Sequence, residues 1–319
     1  MTAEELAGRS GVSKSTVFRY YAGKPLRANL REAIETVLRE QGQSSPAPSR
    51  LTEIAVSVSP AHRTFQGYSE VIQGLIERVE PLGGQVRIVP GPAVPSARGS
   101  AGWVILGKPL IEEQADATIL ENEGHPFVLI NRDYGTRAWS TVGISMRRGA
   151  ADAVHHLLDR GHRSVGVIHH GADQHQVARE KLAGYRLAYT EAQIPVPLDL
   201  EADVRKRPLD QAMRSLIASG ATACFCIDDE LAFSVLRWAH QQGVSVPDRL
   251  AVMGFNDLDP SRFFSPSLSS VSVPFRRLGT AAVDALELLL ADPLRQGLKL
   301  ELKHEVVGRE STGPLKETL

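Results

Sequence analysis

From residue 52 onward the sequence keeps a rhythm that few folds can hold: short apolar, β-rich runs alternate with longer helical ones. Ile54 to Val58, Val86 to Val89, Trp103 to Leu106 and Phe127 to Ile130 read as strands, with a helix over Tyr68 to Leu82 between the first two. A second set follows: helix Arg147 to Arg160, strand Ser164 to Ile168, helices Val177 to Gln193 and Leu209 to Ser219, strand Ala223 to Ile227, helix Asp229 to Gln242 and strand Leu250 to Gly254. Gly161 and Gly243 stand where helices should stop. Helix Phe275 to Leu290 and a strand near Leu300 to Val307 finish the chain. Alternation of this kind means parallel sheets flanked by helices. Pro90 to Ala101, with three prolines, is the exception; no crossover helix is expected there, which leaves one face of its sheet thinly covered. Two α/β halves with a cleft at their strand ends are a usual place for a small ligand.

Residues 1–42 follow another pattern. Thr2 with Glu5 three residues on spells a capping box, Leu6 and Ala7 give an inward stripe, and Gly11 suits a tight turn. Ser13 caps a second helix, on which Val17 and Tyr20 point inward while Lys14, Ser15 and Arg19 share an exposed face. A third amphipathic helix over Ala28 to Gln41, with Ile34, Val37 and Leu38 inward and Gly42 as its stop, completes a small core. Three helices of this form make a helix-turn-helix, and short polar and basic side chains on its second helix suit a major groove.

Charge separates this head from the body. Residues 1–50 hold eight basic and five acidic residues, net plus three; the whole chain has 36 and 37, so the remaining 269 residues carry minus four. A basic head on a slightly acidic body is what a partner rich in phosphate asks for. Between them, residues 43–51 begin Gln43-Ser44-Ser45-Pro46-Ala47-Pro48-Ser49-Arg50, and two prolines at this spacing oppose a helix and favour an extended linker.

At 319 residues and 42% hydrophobic content the chain has enough apolar mass for the head and two further cores. No run approaches the roughly 18 apolar residues of a membrane span, and the polar start is unlike an export signal, so a cytoplasmic protein without a membrane partner is expected. Cys224 and Cys226 alternate along one strand and read as reduced packing residues.

Taken together, these residues resemble a known family. Gly11-Val12-Ser13, Thr16-Val17, Arg19 and Gly23-Lys24-Pro25 are similar to the head of the LacI/GalR transcriptional regulators. In the body the resemblance runs through Val128-Leu129-Ile130-Asn131-Arg132, Arg160-Gly161-His162-Arg163, Leu182-Ala183-Gly184-Tyr185-Arg186, Asp228-Asp229-Glu230-Leu231-Ala232, Val252-Met253-Gly254-Phe255-Asn256-Asp257 and Arg309-Glu310-Ser311-Thr312. It covers essentially the whole chain in order. The resemblance implies a homodimeric repressor whose heads bind a palindromic operator and whose body, similar to periplasmic sugar-binding proteins, closes on an effector. It implies an N-subdomain of about residues 52–144 plus 274–306 and a C-subdomain of about 145–273 plus 307–319, with crossings near Ser145, Val273 and Val307. Carried over by position, Lys14, Ser15 and Arg19 are expected at bases and Thr16 at phosphate. The effector is expected at Tyr68, Gly107, Asn131, Arg132, Ser145, Lys181, Phe225, Asp228 and Asn256.

The departures from that pattern matter. Phe18 stands where the family usually has Ser, so a polar contact is expected to be missing there. Lys181 replaces a usual Arg, trading a bidentate fork for a point charge; Ser145 and Asn256 stand where Asp is common, and Val273 where Gln often appears. A less acidic site makes an effector with its own negative charge, such as a sugar acid or phosphorylated sugar, more plausible beside the neutral sugars and nucleosides. The linker lacks the Asn- and Ala-rich segment that folds into a hinge helix in the family, so weaker DNA bending is expected, with no helix across Ser45 to Leu51.

Rival readings draw on the same residues. Six of ten histidines, His155, His156, His162, His169, His170 and His175, fall within 21 residues. His155 and His156 are helix neighbours that point apart, and only His169, His170 and His175 are placed to converge; no metal or other cofactor is expected. Asp228 and Asp229 suggest an acid and base pair, but adjacent residues at a helix start diverge, and no phosphate-binding Gly-rich loop or Gly-x-Ser-x-Gly elbow appears, so no catalytic residue is expected. A small-molecule binding protein without regulatory DNA binding is the alternative, and the basic head speaks against it.

Overall fold

The computed structural model describes residues 3–21, 26–40, 51–59, 65–90, 100–132, 134–135, 137–171, 176–292 and 297–313, without the side chains of Phe18, Tyr21, Pro90 and Leu198. Thr2, Gly23-Lys24-Pro25, Gly42, linker residues 43–50, residues 91–99 of the Pro-rich stretch and His175 lie outside the described residues. The chain forms two compact units. Unit 1 is Met1–Gly143 with Phe275–Leu300, and unit 2 is Ile144–Pro274 with Glu301–Leu319.

Unit 1 begins with α1 (Ala3–Ser10), α2 (Lys14–Tyr21) and α3 (Ala28–Glu40). Their inward faces make one small core of Leu6, Ala7, Val17, Tyr20, Ile34, Val37 and Leu38. The turn after α1 closes when the Val12 N–H donates back to the Ala7 carbonyl at 3.2 Å around Gly11, the signature of a helix that ends in a left-handed residue.

The rest of unit 1 is a six-stranded sheet in the order β11-β5-β4-β3-β1-β2: β1 is Glu53–Val58, β2 Gln85–Pro90, β3 Gly102–Leu106, β4 Phe127–Ile130, β5 Thr141–Gly143 and β11 Lys299–Glu301. The β1–β2, β1–β3, β3–β4 and β4–β5 pairs are parallel. Continuous burial along β3 and β4 is what helical cover on both faces produces. Helices α4 (Gln66–Val79), α5 (Leu110–Asn122) and α10 (Phe275–Ala291) complete the unit. Apolar periodicity does not announce α5, because its buried face carries Glu113 and Asp116 beside Ala117 and Leu120. The α4 and α10 backbones approach through Gly74 and Gly279: a methyl group on Gly279 would sit 2.1 Å from the Val71 carbonyl oxygen, and one on Gly74 2.0 Å from that of Arg276.

Unit 2 holds a four-stranded parallel sheet in the order β7-β6-β8-β9, with β6 Val165–His169, β7 Glu201–Asp203, β8 Ala223–Cys226 and β9 Ala251–Met253. Its helices are α6 (Met146–Leu158), α7 (Gln176–Glu191), α8 (Leu209–Ala218) and α9 (Asp229–Gln242). A separate antiparallel pair joins β10 (Ser270–Ser272) to β12 (Glu305–Val307). The single strand expected over Leu300 to Val307 is therefore two: β11 belongs to the first sheet and β12 pairs in unit 2. The third crossing accordingly falls at Leu300 and Glu301, ahead of Val307. Strands β5, β7 and β10 have three residues each, too few for alternation to register in the sequence.

Side chains stitch unit 2 at and beside the segments that carry the family resemblance. Tyr185 Oη donates to the Val165 carbonyl at 2.8 Å, and Tyr189 Oη accepts the Val165 N–H at 2.9 Å. Ser311 Oγ donates to the Val252 carbonyl at 2.7 Å and accepts from the Ser269 N–H at 2.8 Å. His162 bridges Thr222 Oγ1 at 3.1 Å and the Gly313 carbonyl at 2.9 Å; burial pushes its imidazole pKa down, which keeps the ring neutral for that role. Cys224 and Cys226 are both buried and free, 3.8 Å apart at sulfur. Among the described residues no helix is long and apolar enough to cross a membrane.

The Gly279 contact gives a direct test. Gly279→Ala is expected to destabilise the protein by about 2 kcal/mol or more, because two helix backbones must part to admit the methyl group. Urea unfolding followed by circular dichroism checks this, and an unchanged midpoint would refute the packing.

Candidate functional site

The first candidate surface is α2. Ser13 caps it, its hydroxyl accepting the Thr16 N–H at 3.1 Å while its carbonyl accepts the Val17 N–H at 3.1 Å. Val17 and Tyr20 are buried, which anchors the helix on one side; Lys14, Ser15 and Arg19 are exposed and Thr16 is half-buried. Lys14 lies 3.4 Å from Glu4, with both side chains largely in solvent, so the pair holds it only weakly. The first turn of α2 carries no acidic residue. A helix N-terminus whose first turn holds no acidic side chain and short polar donors are thus presented together, the arrangement that binds phosphate and base edges.

A second cluster forms at the carboxyl ends of β3 and β4 in unit 1. Gly107 follows β3 with φ +61°, and a methyl group there would meet the Tyr68 ring at 2.1 Å; glycine lets the α4 tyrosine lie against the strand end. Asn131 follows β4 with φ 55°. Arg132, next in line, is nearly buried: its Nε donates to Glu113 Oε1 at 2.9 Å, Nη2 to the Lys108 carbonyl at 3.2 Å and Nη1 to the Asn131 carbonyl at 3.3 Å. Tyr134 Oη donates to the same Glu113 oxygen at 2.5 Å. Burial pushes the Glu113 carboxyl and the Tyr68 phenol up, while Arg132 pulls both back. Beneath them the buried Lys108 ammonium pairs with Asp116, which also accepts from Ser57 Oγ at 2.8 Å.

A third cluster lies at the carboxyl ends of β6, β8 and β9 in unit 2. Lys181, on α7, is 4% exposed; its ammonium donates to the Ile227 carbonyl at 2.7 Å and sits 3.8 Å from the centre of the Phe255 ring. Burial lowers its pKa to about 8 despite the pull of Asp228 and Asp229. Asp228 caps α9 through the Leu231 N–H at 2.8 Å, and its other oxygen meets His170 Nε2 at 2.5 Å; the pair holds Asp228 low and lifts the His170 imidazole. Asp229 turns inward instead. It accepts from Ser270 Oγ at 2.6 Å and the Leu258 N–H at 2.7 Å, and burial raises it to about 6. Asn256, with φ 119°, exchanges main-chain hydrogen bonds with Val271 and Val273.

Two residues expected at the effector have other work here. Phe225 is sealed inside unit 2, since a strand covered on both faces keeps its side chains in the core up to its last residue. Ser145 caps α6, its Oγ accepting the Arg148 N–H at 3.2 Å. Residues that sequence reasoning passed over are Glu113, Tyr134 and the Lys108–Asp116 pair. The inward face of α5 was visible in the spacing of Glu113, Asp116, Ala117 and Leu120, but two carboxylates on a helix read as solvated. Of the histidines expected to converge, His169 meets Glu201 at 3.2 Å and His170 meets Asp228; among the described residues no three metal-ligating groups come together.

A three-helix head followed by two parallel α/β units with polar strand ends defines a class of protein, and comparisons with known proteins agree with it. A periplasmic binding protein-like domain matches residues 154–312. An uncharacterized HTH-type transcriptional regulator of Streptomyces limosus is 29% identical over 330 residues, 97% of this chain and 93% of that protein. The HTH-type transcriptional repressor PurR of Photobacterium profundum is 31% identical over 60% of this chain and 58% of its own, and further repressors are likewise matched over 49% to 62% of their length. The lac repressor dimer bound to operator and the anti-inducer ONPF has the same fold, with TM-score 0.71 and 24% identity over 98% of this chain and 99% of that one. Over nearly its whole length the chain is thus similar to an HTH-type transcriptional regulator and shares the fold of the lac repressor, with a periplasmic binding protein-like domain over residues 154–312.

The buried Lys181 makes a pH signature. Its proton is held more tightly by the unfolded chain than by the folded one between about 8 and the ordinary 10.5, so folding penalises it at neutral pH and the penalty lifts as pH rises through that window. The stability gap between wild type and Lys181→Met should shift in favour of wild type by roughly 3 kcal/mol from pH 8 to pH 10.5. Denaturant titrations of both proteins across that range test it, and a constant gap would contradict the buried ammonium.

Proposed function

We propose that this protein is a sequence-specific DNA-binding regulator, acting as a homodimeric repressor in the cytoplasm, whose operator affinity is set by a sugar or sugar-derived effector. The observation that carries the reading is the coexistence in one chain of a capped, basic α2 face and of polar clusters at the strand ends of two α/β units. Lys14, Ser15 and Arg19 reach base edges in the major groove, and Thr16 holds phosphate. Tyr68, Gly107, Asn131 and Arg132 from unit 1, with Lys181, Asp228 and Asn256 from unit 2, recognise the effector. Hydroxyl-rich ligands suit such groups, which offer paired charges, main-chain polar atoms and aromatic edges.

Regulation follows from binding thermodynamics. An effector shifts the equilibrium between two arrangements of the units only by its differential affinity for one of them. In a dimer, any change in head separation weakens both half-sites together, so a small bias has a large effect on operator occupancy. No catalytic step is proposed. Asp228 and Asp229 have separate structural duties, one as a helix cap paired with His170 and one as a buried acceptor for Ser270 and Leu258.

Fluorescence anisotropy with operator and random duplexes tests the head. Arg19→Ala is expected to weaken operator binding by about 5- to 150-fold, with a much smaller effect on random DNA. Lys181→Ala should leave operator affinity intact and blunt the effector response. A normal response in that variant would remove Lys181 from the effector site, and a wild type that prefers no duplex over random competitor would remove the DNA-binding reading.

A further inference from the structure

Resting on the effector reading above, we propose that Glu113 is a charge-specificity residue: by holding the Arg132 guanidinium it makes the unit 1 strand-end cluster a receptor for neutral hydroxyls and excludes anionic effectors. The sequence alone makes an anionic effector more plausible, because Ser145 and Asn256 stand where Asp is common and Lys181 carries a point charge. The geometry commits Arg132 and Lys181 elsewhere.

Arg132 spends each of its three nitrogens on an acceptor of the protein itself: Glu113 Oε1 at 2.9 Å and the main-chain oxygens of Lys108 and Asn131 at 3.2 and 3.3 Å. Glu113 is wholly buried and Arg132 nearly so, so the pair meets in a poorly screened setting where a third, negative group faces the Glu113 charge at close range. Tyr134 donates to the oxygen that Arg132 already binds. The other oxygen, Oε2, is buried and accepts no hydrogen bond among the described residues. An unpaired buried acceptor welcomes a hydroxyl, which can donate to it, and repels a carboxylate or phosphate, which cannot.

The neighbouring charge in this unit offers an anion no better partner, since the buried Lys108 ammonium is paired with Asp116. Unit 2 repeats the pattern independently. Lys181 donates to a main-chain carbonyl beside Asp228 and Asp229, and His170 is paired with Asp228. In both clusters, then, positive charge is compensated from within the protein, and hydroxyl groups remain the ligand chemistry that gains.

Calorimetry with matched neutral and acidic sugars decides the matter: glucose with glucuronate, galactose with galacturonate, ribose with ribonate. The full-length wild type is expected to prefer the neutral member of whichever pair binds. Glu113→Gln, which keeps the shape but leaves Arg132 uncompensated, should move that preference toward the acid by about tenfold or more. The double variant Glu113→Gln with Arg132→Gln, lacking both charges, should move it back. If Glu113 served only to hold the fold, both members of a pair would weaken together and their ratio would stay put, which overturns the proposal. A wild type that prefers the acid overturns it without any variant, so a misfolded Glu113→Gln offers no shelter. Should no pair bind while Arg19→Ala still loses operator affinity, the sugar-type effector falls and this inference with it, but the DNA-binding reading stands.

Discussion

Charge burial at the strand ends governs much of this structure. An ionised side chain taken from water is costly, and the cost is met only when a partner and further hydrogen bonds are supplied at close range. Glu113, Asp116, Lys108 and Lys181 are all nearly or wholly buried, and each is answered: Arg132 and Tyr134 for Glu113, Lys108 and Ser57 for Asp116, the Ile227 carbonyl and the Phe255 face for Lys181. The loops that follow β3, β4, β8 and β9 carry these partners, so the same contacts that satisfy the charges also set the loops. Polar strand ends in each unit are thereby tied by hydrogen bonds to distant segments of the same unit.

Adjacent aspartates show how local context divides labour. Asp228 precedes the first turn of α9 and accepts its free N–H; Asp229, one residue on, is carried to the opposite side and into the interior, where Ser270 and the Leu258 N–H receive it. One stays ionised through its histidine and amide partners, while the other rises to about 6 as burial outweighs its donors. Paired carboxylates in a sequence therefore need not be a catalytic dyad. Asp229 links the start of α9 to Leu258 and to β10, a structural duty that leaves Asp228 to face His170.

Much of the architecture was legible in the chain itself. Ser13 as a cap, Gly11 as a turn, and Val17, Tyr20, Ile34, Val37 and Leu38 as a core are local or periodic features, and the described head has them. The same holds for the long apolar strands β1, β3, β4, β6 and β8, whose burial on both faces leaves an unbroken hydrophobic signature. The three-residue strands β5, β7 and β10 escaped notice, as did α5, whose inward face is half acidic.

What the linear order of residues determined by itself was thus periodicity and composition: a basic helical head, a parallel α/β body and the positions of the strand-end loops, all of which depend on neighbours within a few residues. What only the tertiary structure decided was the partner of each charge. Arg132 meets a carboxylate nineteen residues earlier, Lys181 a carbonyl forty-six residues later, and Phe225 is closed in rather than presented. A side chain's charge is encoded at its own position, but its compensation is long-range, because burial and hydrogen-bond geometry exist only once distant segments have packed.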